Sequence, residues 1–126
     1  MKIVLHAEKN DGHRSRLETI IKNTFPKSEI LLTDDNQQLS EVLCRPLHNV
    51  AVLIAFITDS ESVELLFPLR PLFENVKTIL IFCKRVDEIQ KSMLMLEPLY
   101  TSHCEDNFQD IISVLKRIEQ KTMRPN

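Results

Sequence analysis

Four side chains stand out as groups that could do chemistry: His6, Glu8, Cys83 and His103. Imidazole, thiolate and carboxylate are the usual ligands of Zn²⁺. An imidazole and a carboxylate such as His103 and Glu8 would also make an acid–base pair if they came within hydrogen-bond reach. The four come from distant segments, and their spacing matches no metal motif. No G-x-S-x-G or H-E-x-x-H signature occurs. The chain has a single glycine, Gly12, which excludes Gly-rich phosphate cradles. Cys44, Cys83 and Cys104 are odd in number and include no C-x-x-C pair. That count predicts reduced thiols and a cytoplasmic setting rather than a disulfide framework, with Cys83 and Cys104 serving as small hydrophobes.

These groups need elements to position them, and apolar runs alternate with helical patterns along the chain. Strands are predicted over 2–7, 29–33 (EILLT), 50–57 (VAVLIAFI), 78–83 (TILIFC) and 100–104. The third is apolar without alternation, as in a strand buried on both faces of a parallel sheet. Helices are predicted over 14–25, with Leu17, Ile20 and Ile21 on one face and Pro26 as terminator, and after Asp34-Asp35. In the latter, Gln38 completes a capping box, and Leu39, Val42, Leu43 and Leu47 share a face. A short helix capped by Asp59 or Ser60 presents Val63, Leu65 and Leu66 before Pro68 and Pro71 distort its end. A fourth spans 87–96. A last helix, capped by Asp106, carries Ile111, Val114, Leu115 and Ile118.

Five strand–helix repeats require right-handed crossovers between parallel neighbours. The expected fold class is α/β, a three-layer doubly wound parallel sheet of five strands, in one domain over 1–126. Ligands of such sheets bind beyond the carboxyl ends of the strands. Those ends fall at 6–8, 33–35, 55–59, 82–84 and 102–104.

Composition narrows the function classes. The 126 residues carry a formal charge of −2, which argues against a nucleic-acid surface. No apolar stretch has the length of about 20 residues that a membrane-spanning helix needs. Lys116, Arg117, Lys121 and Arg124 read as cations complementing the end of a helix dipole.

The pattern resembles the receiver domains of two-component response regulators, with their CheY-like, flavodoxin-type fold. MKIVLHAE is similar to the opening strand of such domains, VAVLIAFITDSESVELL to the central strand and next helix, and YTSHCED to the closing segment. The resemblance implies strand order 2-1-3-4-5. A working receiver has an acidic pair for Mg²⁺, an acceptor aspartate, a hydroxyl residue and a lysine. Matched to this chain, those positions fall on Ala7 and Glu8, Ala55, Phe82 (or Cys83, one residue on) and His103. The resemblance therefore implies a degenerate pseudo-receiver: no enzyme, no cofactor and no metal, working through a protein partner or a homodimer. The interaction face would draw on Gln90, Met93, Leu94, Tyr100, Ser113 and Lys116. The alternative is a small flavodoxin-like enzyme or metal-binding domain using the His6, Glu8, Cys83 and His103 rim.

Overall fold

The computed structural model of the chain describes residues 1–8, 11–83, 96–105 and 107–123. The elements are β1 (Lys2–His6), α1 (Gly12–Thr24), β2 (Glu29–Thr33), α2 (Asn36–Leu43), β3 (Val52–Ile57) and α3 (Ser60–Leu66). A 3-10 turn (Phe67–Phe73), β4 (Lys77–Phe82), β5 (Tyr100–His103) and α4 (Gln109–Met123) follow. The five strands form one parallel sheet in the order β2-β1-β3-β4-β5, as anticipated.

β3 lies at the centre, and all six of its side chains are buried. Successive strand residues point to opposite faces. Val52, Ile54 and Phe56 join the core under α1 and α4, with Leu17, Ile21, Ile111 and Leu115. Leu53, Ala55 and Ile57 join the core under α2 and α3, with Leu39, Leu43, Val63 and Leu66. Each of these larger aliphatic side chains contributes about 1.5–3 kcal/mol through its removal from water.

Helix ends follow side-chain capping. The Asp11 carboxylate accepts from the His13 and Arg14 amides, so α1 starts two residues before the predicted onset. The Asp35 carboxylate accepts from the Gln38 amide, while the Gln38 side chain accepts from the Asp34 amide. This is the predicted capping box with its return bond shifted by one residue. Asp59 caps α3.

Some sequence expectations are corrected. Leu47 is not on the face of α2: the helix ends at Leu43, and Leu47 is 90% exposed with φ 56°. Pro46 is the cause, because it lacks an N–H and disfavours helical geometry at Arg45. Leu65 points outward rather than into the core. Of the predicted fourth helix only Leu96 lies among the described residues, and it is buried. Asp106, the expected last cap, lies outside them. α4 instead opens after Phe108, a buried residue at φ 63°, with the Asn107 side chain accepting from the Gln109 amide.

The expectation of unbridged thiols is also overturned, since Cys83 and Cys104 form a disulfide. The register is the reason. Phe82 pairs with His103, so the residues that follow stand side by side, with Cα atoms 5.0 Å apart. Counting cysteines along the sequence does not reveal this, because the proximity is created by the pairing of β4 with β5.

Candidate functional site at the carboxyl rim of the sheet

The rim divides into three parts. On the β2 side, the first turn of α1 sends Arg14 inward. Its spacing with Leu17 and Ile21 places it on the buried stripe of the helix. The guanidinium donates to the carbonyls of Ala7 (3.2 Å) and Thr33 (2.9 Å) and pairs with Asp34 at 2.8 Å. One buried cation thus ties the β1–α1 and β2–α2 connections together. Below it, His6 bonds through Nδ1 to the Thr33 hydroxyl (2.7 Å) and through Nε2 to Asn36 Oδ1 (3.1 Å). The Asn36 amide nitrogen donates to the Leu65 carbonyl. That orients Asn36 with its oxygen toward the ring, places the His6 proton on Nε2, and leaves Nδ1 to accept from Thr33. Burial pushes the His6 pKa below 6.5; the Asn36 bond and the Asp35 and Asp34 charges oppose this, and Arg14 reinforces it.

The middle of the rim is apolar. Ala7 and Ala55 are buried, and so are Ile57 and Phe82. Glu8 is exposed. The first carboxylate after β3 belongs to Asp59, whose Oδ1 accepts from the amide and the hydroxyl of Ser62 at 2.8 and 2.9 Å.

On the β5 side, His103 is exposed, with its ring against Phe82 at a centroid distance of 5.8 Å. Arg16 reaches across from α1 to donate to the Cys104 carbonyl at 2.8 Å, and its guanidinium lies 4.7 Å over the Phe108 ring. Phe108 meets Phe56 edge to face.

The predicted four-residue rim does not converge. His6 belongs to the Thr33–Asn36 network and Cys83 is bonded to Cys104. Among the described residues, the metal-ligating groups that gather in threes are instead His13, Cys83 and Cys104, with donor atoms within 4.8 Å of one another. Cys83 is the single member common to both sets. The sequence reading missed Arg14, Arg16 and His13. The helical spacing of Arg14 with Leu17 was a legible signal. For Arg16 and His13 the signal lies only in three dimensions.

On the predicted interaction face, Gln90, Met93 and Leu94 lie outside the described residues. Tyr100 is half-buried, and its hydroxyl donates to Asp110 at 3.0 Å, a carboxylate oxygen that also accepts from Ser102 at 2.6 Å. Ser113 and Lys116 are exposed on α4.

The doubly wound sheet and its strand order define a flavodoxin-type α/β protein. Within that class, solved structures similar to this chain include CheY-like response regulators. A response regulator CheY-like protein from Mesorhizobium loti matches with TM-score 0.66 at 12% identity, over 93% of this chain and 97% of that one. A response regulator from Thermotoga maritima matches with TM-score 0.66 at 13% identity, over 95% and 99%. The receiver domain of a modulated diguanylate cyclase from Desulfovibrio desulfuricans matches with TM-score 0.61 at 17% identity, over 96% of each. No family model and no curated protein sequence matches. The resemblance read from the sequence therefore holds at the level of the fold. No helix among the described residues is long and apolar enough to cross a membrane.

Proposed function

We propose that residues 1–126 form a receiver-like signalling module that works without phosphorylation, by binding a protein partner or a second copy of itself. The observation that carries this reading is the apolar middle of the rim. Every side chain of β3 from Val52 to Ile57 is a buried hydrocarbon, so a shift of alignment by one or two residues from Ala55 still meets no acceptor carboxylate. Mg²⁺ requires an octahedral set of oxygens, and phosphoryl transfer requires metal and cation to neutralise developing charge. Ala7, Ala55 and Phe82 offer no side-chain oxygen, and His103 replaces the lysine. The donor set does not fit the metal. Asp59, the nearest substitute, serves as the cap of α3.

Partner binding falls to β5 and α4, where Tyr100, Ser113 and Lys116 are the contributors among the described residues. A non-enzymatic role in the cytoplasm accompanies this reading. The test is incubation with Mg²⁺ and acetyl phosphate followed by intact-mass measurement. The unmodified mass is the expected result. A base-labile phosphoryl adduct, lost on Asp59→Asn, would transfer the acceptor role to Asp59 and overturn the reading.

A further inference from the structure

We propose that His13, Cys83 and Cys104 form a redox-gated site for a thiophilic cation of the Zn²⁺ class, closed while the cysteines are bridged and open once they are reduced. This goes beyond the signalling role and does not depend on it.

The site is assembled by three elements. β4 and β5 deliver the two sulfurs, because the Phe82–His103 pairing places Cys83 and Cys104 next to each other at the strand ends. α1 delivers the imidazole. Asp11 holds the His13 backbone through a 2.8 Å bond to its amide. One turn further along, Arg16 bonds the Cys104 carbonyl and stacks on Phe108, which is itself lodged against Phe56. The first turn of α1 is thereby fixed over the sulfurs, and the three donor atoms fall within 4.8 Å of one another. Burial is graded, with Cys104 buried, Cys83 half-buried and His13 exposed. The exposed imidazole of His13 is therefore the member of the set that meets solvent.

The chemistry balances as follows. A dithiol gives two electrons and two protons to the Cys83–Cys104 bond, which breaks to two thiols as the dithiol closes to a cyclic disulfide. Zn²⁺ then displaces both thiol protons to solvent. Zn–S bonds of about 2.3 Å in a tetrahedron set two sulfurs about 3.8 Å apart. Bridged sulfurs are too close for this and have no thiolate to offer, so oxidation excludes the metal.

The 126-residue chain carrying Cys44→Ser is the material for the test, since Cys44 is an exposed free thiol that would bind metal adventitiously. A phosphine reduces it, with disulfide, phosphine and water giving two thiols and phosphine oxide. Zn²⁺ is titrated against a chromophoric chelator, and Co²⁺ reports thiolate ligation by charge-transfer absorption. The reduced chain should bind about one Zn²⁺ and the oxidised chain none. His13→Ala should weaken binding by more than about tenfold and leave the oxidised chain folded, because His13 is exposed. Equal binding by the oxidised chain, unchanged affinity in His13→Ala, or no binding after reduction would each overturn the proposal. Should reduction unfold the chain, circular dichroism will report it, and failure of Zn²⁺ to restore the folded spectrum counts equally against the site.

Discussion

His6 shows how a reactive side chain becomes a structural one. Its ring is enclosed between Thr33 and Asn36, and both nitrogens have a hydrogen-bond partner. Desolvation disfavours the imidazolium, and the pKa in the folded chain lies below 6.5. The sign of the pH dependence follows. Above about pH 6.5 both folded and unfolded chains carry a neutral ring, and stability is undiminished. Below it the unfolded chain takes up a proton that the folded chain refuses, so stability falls, by at most about 1.4 kcal/mol per pH unit from this group. Urea unfolding between about pH 7.5 and about pH 5.5 should show the decline in the parent chain and a flatter response in His6→Gln. Identical pH profiles would mean that another group is responsible. The Arg14–Asp34 contact belongs to the same region, and there the buried cation is compensated by two carbonyls as well as by a carboxylate. Removing Asp34 alone would leave the guanidinium under-compensated, which is why the pair should be analysed jointly.

At the scale of elements, local signals proved reliable where they were local in fact. The apolar runs located β3 and β4, because burial on both faces demands hydrocarbon at nearly every position. Asp35 with Gln38, and Asp59, marked helix starts, because capping is a matter of three or four neighbouring residues. The error at Leu47 came from extending a 3.6-residue period through Pro46. The resulting loop has two non-glycine residues in the left-handed region, Leu47 at φ 56° and Asn49 at φ 59°. Asparagine tolerates that conformation, whereas leucine does not. With its side chain 90% exposed, Leu47 has little packing to lose. Glycine relieves about 1–2 kcal/mol of left-handed strain and returns part of it as unfolded-chain entropy. Leu47→Gly should therefore raise the unfolding free energy by about 0.5–1 kcal/mol, read from the urea midpoint at constant slope. A lower midpoint would reveal a role for the leucine side chain that its exposure does not suggest.

For the whole molecule, the contacts that the sequence hid are those made by sheet order. His6 meets Thr33 and Asn36 because β1 pairs with β2, and Cys83 meets Cys104 because β4 pairs with β5. The same order makes β5 a four-residue edge strand paired with β4 alone. The disulfide ties the carboxyl ends of these two strands across a separation of 21 residues. Cross-linking a loop of that size removes chain entropy from the unfolded state worth about 3 kcal/mol. Reduction should accordingly lower the global unfolding free energy by about 2–4 kcal/mol and steepen the urea dependence, because the unbridged unfolded chain exposes more surface. The Cys83→Ser, Cys104→Ser double variant should match the reduced parent. Native-state hydrogen exchange separates this from a purely local clamp. If the bridge acts on the unfolded ensemble, protection falls together across β1, β3 and β4, since all three open only by global unfolding. If it merely pins the edge, β5 and the first turn of α4 lose protection while β3 keeps it and the urea midpoint stays where it was. That second pattern would confine the bridge to the rim and refute its part in the stability of the sheet.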